Sequence, residues 1–256
     1  MNRADPPADG ELSFMGHLVE LRARLLRAVA AVLLILVALV PFANRLYGWL
    51  AKPLLEHLPA GGAMIATDVA SPFFAPLKLA FFAAVFVAMP FILYQAWAFV
   101  SPGLYKHERR LALPLLVSAV TLFYVGCAFA YYLVLPAVFT FMTSVAPAGV
   151  AVMPDISRFL DFALILFLAF GFCFEVPVAL VILVAIGAVT PEQLVRSRPY
   201  TIVGAFVIAA ILTPPDVISQ LLLAVPMCLL YEVGIIAARL VAQRTATDEA
   251  DPAREN

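Results

Sequence analysis

The chain has 256 residues, of which 64% are apolar and 13% charged, and a formal net charge of −1. Soluble domains run at about 45–50% apolar and about 25% charged, so this composition excludes a globule that hides its apolar surface from water by its own fold. A charge balance this close to neutral gives no electrostatic case for a nucleic-acid partner.

Residues 1–13, which include Asp5-Pro-Pro-Ala-Asp9, read as an unstructured head. The segment from Phe14 to Arg27 has helical period. Phe14, Leu18, Leu21 and Leu25 fall on one stripe, and His17, Glu20, Arg24 and Arg27 on another. This segment is expected to lie along the membrane surface before turning inward, with Glu20 able to pair with Arg24 one turn on. Arginines ahead of an apolar run resemble the start of a signal peptide, but several further runs follow, so a first transmembrane helix is the better reading. Arg22-Ala-Arg24 is also not a paired-arginine export signal.

Six runs approach the length of about 20 helical residues that crosses a hydrocarbon layer of roughly 30 Å. They cover approximately 25–42, 73–99, 111–141, 159–188, 200–212 and 217–238. A helix satisfies its own amides in lipid, and the alternation that a barrel needs is absent. The expected fold is therefore an all-α polytopic membrane protein with six transmembrane helices. The fifth run is short, and Pro226 and Glu232 shorten the clean part of the sixth; a tight hairpin at Thr213-Pro214-Pro215-Asp216 joins them. Pro76, Pro90, Pro114, Pro136, Pro177 and Pro226 predict a kinked and cupped bundle. No GxxxG pair occurs, so close glycine-mediated dimerisation is not expected.

Cationic loops accumulate on the cytoplasmic side of membranes. Arg3, Arg22, Arg24, Arg27, Lys106, Arg109, Arg110, Arg196, Arg198, Arg239, Arg244 and Arg254 fall on one side, against Arg45, Lys52 and Arg158 on the other. With six spans, this bias puts both termini in the cytoplasm. Residues 241–256, with the acidic stretch Thr247-Asp-Glu-Ala-Asp251, read as a disordered tail.

Few residues are candidates for chemistry. Cys127, Cys173 and Cys228 lie in apolar runs without metal-ligand spacing and read as small apolar residues, so no metal or other cofactor is expected. The loop from Phe99 to Arg110 sets Glu108 among cations, either as a solvated carboxylate or as a site for a cationic peptide. Glu175 stands in an apolar run immediately ahead of the kinking Pro177, where a charge costs about 2.5–3.5 kcal/mol. Lys78 lies only about 8 Å inside the outer end of its span, too shallow to pair with it. Glu175 is left to tie helices together, to bind another subunit or to exchange protons. Asp216 reads as a turn residue or helix cap, and Asp68, Ser71 and Pro72 as the start of the second span.

Five separated motifs occur in order: His17-Leu-Val-Glu-Leu-Arg22, Met64-Ile-Ala-Thr-Asp-Val-Ala-Ser-Pro-Phe73, Phe99-Val-Ser-Pro-Gly-Leu-Tyr-Lys-His-Glu-Arg-Arg110, Phe170-Gly-Phe-Cys-Phe-Glu-Val-Pro177 and Leu212-Thr-Pro-Pro-Asp-Val-Ile-Ser-Gln220. With them, the stretch from about Phe14 to Ala238 resembles the TatC family of the twin-arginine protein translocase. The resemblance implies a bacterial inner-membrane receptor that binds twin-arginine signal peptides of folded cargo at its cytoplasmic face. It also implies recruitment of TatA and TatB for export driven by the proton-motive force, in a higher-order oligomer with TatB. Glu20 and Glu108 match positions that recognise the paired arginines, and Arg22, Phe99, Leu104 and Tyr105 lie in the same motifs. Pro53 and Asp216 match positions tied to assembly, and Glu175 matches an intramembrane carboxylate tied to partner engagement. The rival from another class is a proton-coupled secondary transporter using Glu175, although no inverted repeat supports it. No HExxH, GxSxG or comparable nucleophile-base arrangement points to an enzyme.

Overall fold

The computed structural model describes residues 9–57, 63–100, 112–145, 153–212 and 217–250, and among them the protein is all-helical. Helix α1 (Asp9–Leu39) passes through a short 3-10 turn (Val40–Phe42) into α2 (Ala43–His57), and α3 (Ser71–Val100) returns. Helix α4 (Ala112–Phe129) continues through a π turn (Ala130–Val134) into α5 (Leu135–Val145). Helices α6 (Ile156–Phe174) and α7 (Val176–Ala185) make one bent span, then come α8 (Pro191–Arg196), α9 (Arg198–Leu212) and α10 (Val217–Ala250). Five stretches are long and apolar enough to cross a membrane: Leu18–Lys52, Ser71–Phe99, Leu113–Val145, Ile156–Ala185 and Gln220–Gln243. Helix α9 is a shorter apolar helix, which completes the six-helix count.

Three boundaries differ from the sequence expectation. Helix α1 is continuous from Asp9, so the amphipathic segment and the first span form one rod of 31 residues, about 46 Å long, with no turn between them. Nothing in Phe14 to Val40 breaks a helix, and the helix extends into the stretch expected to be an unstructured head. Helix α10 runs to Ala250 through much of the expected tail, and at 34 residues it is not short. Pro226 sits inside it without ending it, and Glu232 is paired with Arg198 at 2.6 Å rather than left as a bare charge. Shortness holds for α9, with its 15 residues.

Pro136 and Pro177 interrupt the regular helix, by removing donors, whereas Pro76, Pro90 and Pro226 sit inside continuous helices. Pro136 has no N–H to give to the preceding turn, and just ahead of it Leu135 N–H reaches back five residues to the Ala130 carbonyl, opening the π turn. Pro177 separates α6 from α7, where the Glu175 N–H falls back to the Phe172 carbonyl at 3.1 Å.

The core lies where α4 and α6 cross, with Phe123, Phe170, Leu160 and Leu166 fully buried. Three glycines permit the closeness of the helices, Gly171 facing the Phe123 ring and the other two facing backbone. A methyl on Gly126 would stand 2.5 Å from the Phe170 carbonyl oxygen, and one on Gly234 of α10 would stand 2.9 Å from Pro177 Cα. The absence of GxxxG therefore said nothing about glycine packing inside one chain, where single glycines on different helices serve. Helix α1 packs antiparallel to α3, with Val32 against Ala84 and Ala88 and Arg24 level with Gln95.

A clamp closes the end of the bundle at which α3 and α6 begin. Ile65 N–H donates to Pro154 O at 3.0 Å and Ile156 N–H to Ile65 O at 2.9 Å, a single parallel bridge between two loops. Asp155 caps α6 by accepting from the Ser157 and Arg158 amides, and also accepts from the Thr67 amide and hydroxyl. The Thr67 hydroxyl, then the Thr67 and Arg158 amides, hold this carboxyl well below the usual carboxylate range. Asp68 receives the first turn of α3, as expected, through Ser71 N–H to Asp68 O at 3.2 Å.

Gly126→Ala is expected to lower unfolding stability in detergent micelles by about 1–3 kcal/mol, because its methyl meets backbone that cannot give way. An unchanged denaturation midpoint would contradict the close crossing. A depressed carboxyl contributes stability above its unfolded pKa and loses it only as pH falls toward the folded one. Amide exchange at Ile65 to Ala70 should accordingly stay protected from about pH 7 to about pH 5, and lose protection at both in Asp155→Ala.

Candidate functional site

At the opposite end, where α1 starts and α3 finishes, Glu20 and Arg24 sit one turn apart on α1. Arg24 Nε donates to Glu20 Oε1 at 2.9 Å and Arg24 Nη2 to the same oxygen at 2.5 Å. Arg24 Nη1 also reaches Gln95 Oε1 of α3 at 3.4 Å, and Gln95 is only 7% exposed. The pair expected from the spacing is thus present, and a buried amide from another helix holds its cation. Phe99 lies one turn beyond Gln95 on α3 and is half-buried, while Arg22 is exposed. Leu104, Tyr105 and Glu108 lie outside the described residues, in the segment that leaves α3 just past Phe99. Asp216 also lies outside them, and Pro53 falls within α2.

Glu175 forms the joint between α6 and α7, half-buried, about 29 Å along the span from Ile156. Its Oε1 is shut off from solvent and has no hydrogen-bond partner among the described residues. Lys78 is not its mate. Lys78 Nζ instead donates to Asp161 Oδ1 of α6 at 2.5 Å. The missed signal was depth, since Lys78 and Asp161 stand seven and five residues after the starts of their helices at Ser71 and Ile156. Sequence reasoning also missed Gln95, which looks like one more polar residue in a span, and Asp155, whose place ahead of Ile156-Ser157-Arg158 is a capping signature.

An intramembrane carboxylate with one buried oxygen unpaired among the described residues, and a carboxylate-guanidinium pair at one face, can bind and orient a cationic or hydrogen-bonding helix. The sequence matches the family profile described as Sec-independent protein translocase protein (TatC) over residues 16–226. The chain belongs to the TatC family. Among TatC relatives, the Halothiobacillus neapolitanus protein is 56% identical over 90% of this chain and 63% of its own length. This chain thus spans under two thirds of that relative. The Escherichia coli TatC is 55% identical over 87% of this chain and 86% of its own. A solved crystal structure of a twin arginine translocase receptor, TatC, superposes with a TM-score of 0.78 at 38% identity, covering 88% of this chain and 99% of the other. The protein is therefore a multi-pass membrane subunit of the protein-transport system to which TatC belongs.

A buried polar atom without a partner costs about 1–3 kcal/mol. Glu175→Met, which fills the same space without that oxygen, should raise the thermal midpoint of the purified protein in detergent. A fall would mean that Glu175 has a stabilising partner in the isolated chain.

Proposed function

We propose that this chain is the receptor subunit of a twin-arginine translocase in the bacterial inner membrane, with both termini in the cytoplasm. It binds twin-arginine signal peptides at the face bearing Glu20 and Glu108, and recruits TatA and TatB. The observation that carries this reading is Glu20. This carboxylate lies in the first half of α1 and is paired with Arg24, which reaches Gln95 of α3 one turn ahead of Phe99, and α3 ends one residue beyond Phe99. Carboxylates match arginine forks better than any other side chain, and two suit two arginines. Charged contacts at about 1.5–3 kcal/mol each do not reach tight binding after association costs, so burial of the signal's apolar stretch supplies the remainder. Exposed Leu18, Val19, Leu25 and Leu26 near Glu20 offer apolar surface for it. Arg22, Leu104 and Tyr105 complete the face, Pro53 and Asp216 serve assembly, and Glu175 engages a partner helix in a higher-order oligomer with TatB.

Photocrosslinking from this face to a twin-arginine signal in membrane vesicles tests the reading. Glu108→Gln with Glu20→Gln should weaken the crosslink at least about tenfold, the loss of one charge-assisted contact or more, while insertion is unchanged. An undiminished crosslink, or labelling that places positions 20 and 108 on the periplasmic side, would overturn it. The unpartnered Glu175 oxygen also fits a proton-coupled transporter, which solute uptake by this chain alone in liposomes would favour.

A further inference from the structure

The Lys78–Asp161 pair takes no part in the proposed recognition face. It lies near the other end of the bundle, in an open groove of about 460 Å³ between α3 and α6, lined by Phe74, Leu77, Phe81, Ser157 and Leu160. Both charges are about half exposed, at 49% and 45%. We propose that this groove binds one phospholipid with a primary-amine zwitterionic headgroup, phosphoethanolamine, its phosphate on Lys78 and its ammonium on Asp161.

Depth is the first argument. Helix α3 has 30 residues, about 45 Å, against a hydrocarbon layer of roughly 30 Å, which leaves about 7 Å of helix in the headgroup region at each end. By the same rise, Lys78 lies about 10 Å from the start of α3 and Asp161 about 7 Å from the start of α6. Side chains lean toward the N-terminus of their helix, and both helices begin at this end, so the charged tips are lifted to headgroup level.

Unused hydrogen-bonding capacity is the second argument. Among the described residues, the one polar contact of Lys78 is with Asp161, so an ammonium with three donors keeps two, and the carboxylate keeps its second oxygen. Sign selects the headgroup. A free phosphate or purely anionic headgroup attracted by Lys78 meets Asp161 beside it, whereas a zwitterion presents opposite charges to both. A quaternary ammonium has no N–H for the carboxylate, which selects the primary amine. An apolar partner helix seated here would strip water from both ions, at a cost their mutual attraction does not recover. Phe81 lies deeper along α3 than Lys78, and Phe74 and Leu77 lie shallower, so the acyl chain runs beside Phe81 below a headgroup near Phe74, 59% exposed. The inference rests on the membrane-spanning fold and not on the receptor reading.

The test is native mass spectrometry of the full-length chain taken from nanodiscs holding equal phosphatidylethanolamine, phosphatidylglycerol and phosphatidylcholine. The wild-type chain should retain one phosphatidylethanolamine at least about tenfold over the other two, and Lys78→Gln with Asp161→Asn should abolish that preference. A photoreactive residue in place of Phe81 should crosslink to lipid. Retention of all three lipids alike, preference for the anionic lipid, an unaltered preference in the double variant, or a crosslink to a protein helix would each overturn the proposal. The wild-type preference decides the question even if the double variant does not fold.

Discussion

Helices in hydrocarbon gain little by burying leucine against leucine, because lipid tails are equally apolar, so attraction comes from close approach and from polar contacts. This bundle uses both. Gly126 and Gly234 bring α4 onto α6 and α10 onto the α6–α7 joint closely enough that a single methyl would collide with backbone. Aromatic side chains fill the remaining space, with Phe86 in contact with Phe123 and Phe167, and Phe129 with Phe170 and Phe174.

Polar contacts concentrate toward the two ends of the spans, where water and headgroups lower the cost of imperfect pairing. At one end Asp155 fastens two loops to the start of α6, and Tyr47 donates to Ile156 O at 3.1 Å from α2. Toward the other, Arg24 spans α1 and α3, and Tyr231 of α10 donates to Leu194 O of α8 at 2.8 Å. Between the ends, Tyr124 donates to the Phe86 carbonyl at 2.9 Å, and at the Glu175 joint the kink coincides with an oxygen that has no partner among the described residues. A bundle anchored near both ends tolerates such a defect in between, which is where a partner could use it.

The number and order of spans were readable from hydropathy because every backbone amide in lipid must be satisfied within its own helix. Helix ends were less readable. Hydropathy marks where the apolar layer stops and not where the helix stops, and so α1 and α10 overran their expected limits. Charged pairs within one helix, such as Glu20 with Arg24, followed from spacing alone. Pairs between helices did not. Lys78 pairs with Asp161 of α6, and which helix lies beside α3 cannot be read from periodicity, although the two residues share a depth. The glycine crossings stayed hidden for the same reason, since a contact between Gly126 and Phe170 depends on tertiary register. At the proposed recognition face, the structure describes Glu20, Arg22 and Phe99, and Glu108 rests on sequence resemblance.

The grip of Arg24 on Glu20 changes what a second guanidinium meets there. Both nitrogens of Arg24 fall on a single carboxylate oxygen, so the second oxygen is left for a newcomer, which shares the carboxylate with a resident of identical charge. Repulsion between the two guanidinium groups offsets part of the attraction to the carboxylate, so long-range Coulomb pull contributes less there than at a bare carboxylate. What distinguishes one visitor from another is then the shape and the greasiness of the chain that carries the arginine.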